Sequence, residues 1–298
     1  MVDVAIVSTS TDPHVETVGE WLSQRGSSVV TFNLANLRNS QLRVTAEALE
    51  IRGDGGWRHV DSSTTVWWHR PGHTIADDLD TDEANLVRDE NPHILVGMLD
   101  GCGVRWVDHP DRVARAERKL FQLATAHRLG VPIPRYLVTN DPVGARDFVT
   151  GRRVVTKALS PGFGIAPFTS EIESKDVNAV AQNPVLLQEF VEAEFDLRVV
   201  VVNDHGWVWS RERSPYAIDW REVDPSGSAF VAVERPAVLT LAIELTAALG
   251  LSMSIQDWLI NDDGPVFLES NAQGAWRFLV ASHDSVAPAL ASHLGDRR

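Results

Sequence analysis

The stretch that most narrows the possible folds is residues 252–271, SMSIQDWLINDDGPVFLESN. Two apolar runs flank Asn261-Asp262-Asp263-Gly264, a strong turn signal, so the segment reads as an antiparallel hairpin. Acids interrupt both arms. Asp257 lies inside the first, where an unpaired buried carboxylate is costly unless neutralised. Glu269 closes the second, with Asn271 two residues on and therefore on the same face. If the arms pair across the turn, Asp257 and Glu269 come close, and two close carboxylates repel unless a proton or a cation lies between them. A magnesium ion held by Asp257, Glu269 and Asn271 would resolve both oddities. The plainer alternative is a strand entering a polar turn, where Asn is common.

The preceding chain has two textures. Residues 2–8 form a short apolar run, and Val15, Val18, Trp21 and Leu22 then recur at helical spacing up to Gly26. SSVVTFNL, TTVWWHRPG and GVRWVDHP supply further strands, and a helical stretch from about 81 to 100 is expected to break or kink at Pro92. Strands alternating with helices imply a mainly parallel α/β sheet over residues 1–107. Asp111 then caps a helix whose apolar positions Val113, Ala116, Leu120, Leu123 and Ala124 share a face. From there β-runs dominate, at 135–139, 152–157, 184–190, 195–202, 206–210, 253–261 and 265–270. Helices near 174–181 and 236–249 separate them, an α+β pattern with a second turn signal at Asn203–Gly206. The reading divides the chain into 1–107, 108–190 and 191–298.

Composition removes several classes of function. With 298 residues, 44% hydrophobic and 23% charged, the chain is that of a soluble globular protein. A net charge of −14 argues against non-specific binding to nucleic acid or to an anionic membrane. An anionic ligand therefore needs a local cluster of Lys, Arg and backbone N–H groups. The single cysteine, Cys102, excludes an internal disulfide framework, reads as a buried structural thiol and fits a reducing cytoplasm. The N-terminus lacks the basic region of a signal peptide, and no apolar run is long enough to span a membrane. G-x-G-x-x-G and G-x-x-x-x-G-K-[ST] are both absent, as are H-E-x-x-H and paired C-x-x-C, so ordinary Rossmann, P-loop and zinc readings lose their main support.

What remains is a dispersed set. Lys119 lies off the apolar stripe of its helix and reads equally as a solvated surface residue. Lys157 ends the apolar strand RRVVTK and is followed by ALSPGFGIAP, where Gly162 and Gly164 would let backbone N–H groups close over an anion. A snorkelling strand-end Lys beside an ordinary turn is the alternative. At Gln188-Glu189-Phe190-Val191 one strand gives way to another, and exposed backbone there can read the edge of an adenine. Asp196 could reach ribose hydroxyls. Two strands with a polar bend would look the same.

The order Lys119, Lys157, LLQEFV, Asp196-Leu-Arg198, Asp257, Glu269-x-Asn271 resembles the ATP-grasp superfamily over about residues 108–280. Within it, VWWHRPG, AIDWRE and FLESNAQGAW are similar to the peptide maturases that make graspetides, the microviridin-type ligases. Their F-L-E-x-N-P-N-G-Q-W is changed here at Ala272, Gln273 and Ala275. The resemblance implies an ATP-grasp fold whose N-terminal α/β subdomain completes the substrate site. It implies that Lys119 and Lys157 bind the α/β-phosphates of ATP, the 188–191 backbone holds adenine, and Asp196 holds ribose. Asp257, Glu269 and Asn271 would carry Mg²⁺, and Arg198 and Arg221 would steady the transferred phosphoryl group or a substrate carboxylate. Surface salt bridging is the alternative for that Arg pair, and His69 and Arg70 receive no role beyond support of the fold. The implied reaction phosphorylates Asp or Glu side chains of a ribosomal precursor peptide, recognised through its leader. Ring closure on Ser, Thr or Lys of the core then gives ester or amide links. A homodimer is plausible on the same resemblance. The competing readings are a RimK-like ligase adding an amino acid to a protein or small acid, and a non-catalytic peptide-binding module on the same fold.

Overall fold

The computed structural model describes residues 1–9, 11–45, 48–53, 56–72, 79–159, 169–173, 175–214 and 216–296. Its contacts divide the chain into two compact units. One comprises Met1–Val113, Leu251–Met253 and Ala281–Arg298; the other comprises Ala114–Gly250 and Ser254–Val280. The residues from Ala281 onward thus belong with the N-terminal unit, although the sequence-based division placed them in the third segment.

In the first unit, β1 (Val4–Val7), α1 (Pro13–Gln24) and β2 (Val29–Phe32) open the chain. Residues 42–60 then form an antiparallel sheet of β3 (Leu42–Val44), β4 (Leu49–Gly53) and β5 (Gly56–Val60). Its strands are short and interrupted by Arg43, Glu50, Arg52 and Arg58, so no strand was expected there. β6 (Thr65–Trp68), α2 (Thr81–Gly101) and β7 (Arg105–Val107) complete a four-stranded sheet of order β2-β1-β6-β7. All its pairings are parallel, as expected. β1 is buried throughout, as a strand covered on both faces must be. Ala5, Val7 and Val66 pack with Leu95 and Leu99 of α2, while α1 packs against the C-terminal helix (Ser282–Gly295). The Asp12 carboxylate caps α1, accepting the His14 N–H at 2.8 Å, and Pro13 needs no acceptor at that position. The break expected at Pro92 does not occur: α2 runs through it, since one missing N–H leaves the neighbouring ladder bonds to hold the helix.

The chain enters the second unit through α3 (Pro110–Ala116) and α4 (Lys119–Arg128). The single helix expected here is broken at Glu117-Arg118, with Arg118 extended at φ −73°, ψ 107°. Asp111 lies in the first turn of α3 and does not cap it. The buried Gln122 braces the break. Its Nε2 donates to the Ala116 carbonyl at 2.7 Å and to the Ser270 carbonyl at 2.6 Å, and its Oε1 accepts the Ser270 N–H at 3.0 Å. Next come β8 (Tyr136–Thr139), α5 (Pro142–Val149), β9 (Val154–Lys157), β10 (Thr169–Glu171) and β11 (Val185–Glu189). They give an antiparallel sheet of order β10-β9-β11-β8. The helix expected at 174–181 is a short 3₁₀ segment, Val177–Gln182, packed on α5. β12 (Phe195–Val202), β13 (His205–Glu212), β14 (Val231–Val233), α6 (Pro236–Ala248), β15 (Met253–Asn261) and β16 (Gly264–Asn271) follow. Their five strands form a sheet of order β14-β13-β12-β15-β16. Both expected hairpins are present, with Val202 opposite His205 and Asn261 opposite Gly264.

Candidate active site

The β15–β16 hairpin carries the acids as its sequence required. Asp257 is directly opposite Glu269, and Ile255 is opposite Asn271. The register then shifts between Asp257 and Trp258, which pairs with Phe267. Such a bulge re-aims the side chains beside it and is common near sites. Asp257, Glu269 and Asn271 all line one cavity of about 500 Å³ in the second unit. So do the other nine residues singled out from sequence: Lys119, Lys157, Gln188, Glu189, Phe190, Val191, Asp196, Arg198 and Arg221. Gly162 and Gly164, expected to close over an anion, lie outside the described residues.

The helix break explains how Lys119 arrives. As the first residue of α4 it leaves the flank of a continuous helix, and its Nζ lies 2.5 Å from Glu269 Oε2. Asn271 Nδ2 faces the other Glu269 oxygen at 3.4 Å. Burial pushes the Glu269 carboxyl up, but Lys119 and Lys157 overcome it and hold the group at about 2. Lys157 is itself pushed down from its ordinary value by burial, a loss that Glu269 opposes. Arg198, only 3% exposed, donates to Asp257 Oδ1 at 2.6 Å and to the Ala275 carbonyl at 2.8 Å. Glu269 and Asp257 are therefore each in direct contact with one cation, Lys119 and Arg198. Two carboxylates and a carboxamide on one hairpin face, beside two lysines, form a donor set suited to a hard divalent ion.

The backbone at 188–191 is more constrained than its sequence suggests. The Glu189 N–H donates to the Arg135 carbonyl and the Phe190 N–H to the Arg153 carbonyl, both at 2.8 Å. The Val191 carbonyl accepts from Arg213 Nη1 at 3.3 Å. Arg153 and Arg213 lie over the Phe190 ring, 3.8 and 4.8 Å from its centre. Burial raises the Asp196 carboxyl, partly offset by Arg213 and Arg211. Arg221 does form the salt bridge weighed as its alternative, with Nη1 at 3.0 and 3.1 Å from the two Asp219 oxygens, and it stacks over Trp220.

Sequence reasoning missed several lining residues. Glu117 sits in the helix break and its carboxyl is raised by burial, against the pull of Lys119. Arg213, Asp219, Trp220 and Phe230 also line the cavity. The signal for Asp219 and Trp220 was present in AIDWRE, but only Arg221 was drawn from it. Nothing in the sequence marks Gln122 as the brace of the strand that carries Glu269.

No family model matches the chain, and no curated protein does. Solved structures do. An ATP-grasp ligase associated with ribosomal peptide modification from Chryseobacterium gregarium, in complex with ADP and a leader and core peptide, superposes with a TM-score of 0.89 at 21% identity, covering 100% of this chain and 98% of that one. The macrocyclase MdnC of Microcystis aeruginosa, bound to its precursor peptide MdnA, gives 0.84 at 20% identity, with 98% of each chain covered. The ATP-grasp ligase PsnB, complexed with a minimal precursor, Mg and ADP, gives 0.77 at 22% identity, covering 98% of this chain and 97% of that one. The chain therefore has the ATP-grasp fold, with a parallel α/β unit at its N-terminus.

Proposed function

We propose that the protein is an ATP-dependent ligase that activates side-chain carboxylates of a ribosomally made precursor peptide and closes them intramolecularly on hydroxyl or amine groups. The observation that carries this reading is the gathering of lysines, acids and Asn271 on one cavity, in a fold similar to that of peptide-bound ATP-grasp ligases. Lys119 and Lys157 hold the phosphates of ATP. The Glu189 and Phe190 amides are already used in backbone bonds, so the base edge is read by the Glu189 carbonyl and the Val191 amide, with Asp196 on the ribose. Asp257, Glu269 and Asn271 would hold Mg²⁺, which when bound neutralises developing charge on the phosphates.

A free carboxylate is a poor acylating group because its leaving group would be oxide. Phosphoryl transfer from ATP makes an acyl phosphate and ADP; attack by a neighbouring hydroxyl or amine then forms the ester or amide and releases phosphate. The chain's residues supply charge and position. Arg198 holds the Asp257 carboxylate in place, and Arg221 is placed to meet a substrate carboxylate or the transferred phosphoryl group. The test is intact-mass analysis of a cognate precursor incubated with the protein, ATP and Mg²⁺. Loss of one water per link, with stoichiometric ADP, is the expected result. A mass gain equal to an added amino acid would replace this reading with a RimK-like one. A cognate peptide that binds without stimulating ADP release would leave only a binding module.

A further inference from the structure

A second constellation lies in the N-terminal unit. In the sheet order β2-β1-β6-β7 the chain leaves β1 towards β2 on one side and is followed by β6 on the other. The crevice past the ends of β1 and β6 is thus a topological switch point, where open α/β sheets place ligands. Ser8 follows β1, His69 follows β6, and Asp12 and His14 open α1. All four are at least nine-tenths buried. Asp12 Oδ1 lies 2.8 Å from His14 Nδ1, while Oδ2 faces His69 Nε2 at 3.5 Å. Neither His69 Nε2 nor Ser8 Oγ has a hydrogen-bond partner among the described residues. Buried polar atoms left in that way are costly and call for a ligand.

We propose that Asp12, His14 and His69 form a site for one d-block divalent cation, of the zinc type, independent of the nucleotide cavity. One ligand atom from each of the three lies within 4.8 Å of the others, and His14 Nδ1 and His69 Nε2 are the nitrogens that face the Asp12 carboxylate. A cation about 2.1 Å from each, in tetrahedral geometry, sets the ligand atoms about 3.4 Å apart, so the close Asp12–His14 pair opens slightly while wider separations close. Two imidazoles and one carboxylate select zinc-like ions over magnesium, which prefers oxygen. The His69 ring is fixed by stacking on Trp67 at 4.5 Å, with its orphan nitrogen towards the acid. On binding, His14 carries its proton on Nε2, and Nδ1 changes from donor to ligand. Arg70, whose Nη1 is 3.5 Å from Asp12 Oδ2, is the half-buried member of the group and releases that oxygen when the divalent charge replaces its own. The bound ion pins the end of β6 to the start of α1.

The test uses the full chain without a histidine tag, stripped with chelator and titrated with Zn²⁺ and Co²⁺ under excess Mg²⁺. One equivalent should bind per chain, Co²⁺ should show the visible bands of a low-coordinate nitrogen–oxygen site, and saturating Zn²⁺ should raise Tm by about 5 °C or more. His69→Phe preserves the stack on Trp67 and should abolish stoichiometric binding; His109→Ala and His283→Ala should leave it intact. Absence of stoichiometric binding, or binding that survives His69→Phe, overturns the proposal. Should His69→Phe fail to fold, X-ray absorption of the zinc-loaded wild type decides: two imidazoles support the site, and one or none refutes it.

Discussion

Arg198 offers the sharpest test of how the hairpin acids are held. Its guanidinium is almost wholly buried, and Asp257, with 16% of its side chain exposed, accepts from it at 2.6 Å. Replacing Arg198 with Met preserves bulk and removes the charge, leaving a largely buried carboxylate without its cation. Breaking a buried pair in this way costs about 3 kcal/mol. For a unit of this size, that lowers Tm by about 6–12 °C. Arg198→Met/Asp257→Leu should recover most of the loss, because an apolar pair of similar volume replaces the ion pair. About 1 kcal/mol should remain missing for the Ala275 carbonyl, which loses its donor. Urea unfolding of wild type, both single variants and the double closes the cycle, and the double should lose much less than the sum of the two single variants. Mg²⁺ with ADP should rescue Arg198→Met more than wild type, since a divalent ion supplies the missing positive charge. Additive losses in the cycle, or a shift below about 2 °C for the single variant, would refute the reasoning. The pair would then be an ordinary solvated contact.

Two further outcomes follow from the same geometry. The folded Glu269 carboxyl lies below its ordinary value of 4.5, so its contribution to stability is complete above that pH and is lost as pH falls towards about 2. Glu269→Gln should lower stability at neutral pH and flatten the acid limb of the stability–pH profile between those values, measured by denaturant titration. Gly274→Ala places a Cβ 2.9 Å from Ile255 Cβ, 3.1 Å from Asn271 Cβ and 3.3 Å from Arg198 Nη2. Overpacking there should cost about 2 kcal/mol in thermal melts, and displacement of Asn271 should raise the Mg²⁺ concentration needed for half-maximal ADP release.

Much of the fold was legible because its signals are local. A turn sequence between two apolar arms fixes the β15–β16 pairing, and once Asp257 and Glu269 are opposite each other the acids must meet. The same holds for β12 and β13 around Asn203–Gly206. The 42–60 sheet was not legible: its strands are three to five residues long, and its buried apolar residues Leu49, Ile51 and Val60 share one face while Trp57 sits among charged residues on the other. Nor were the partners of Arg198 and Arg221, since a charged residue in a sequence states its sign and not which acid it will face.

The helix break at Glu117-Arg118 shows why periodicity could not deliver the site in full. Val113, Ala116, Leu123 and Ala124 keep one stripe across the gap, so the hydrophobic pattern alone favours a continuous helix. The break is held by a long-range polar contact instead. Gln122 takes the Ala116 carbonyl that a continuing helix would have bonded, and with the same side chain grips both backbone groups of Ser270, the residue after Glu269. One buried carboxamide therefore fixes the end of α3, the start of α4 and the position of β16. Lys119 and Glu269, 150 residues apart, come within 2.5 Å through that arrangement. A residue with no chemistry of its own thus sets the contact between two charged groups of the cavity, and only the three-dimensional arrangement reveals it.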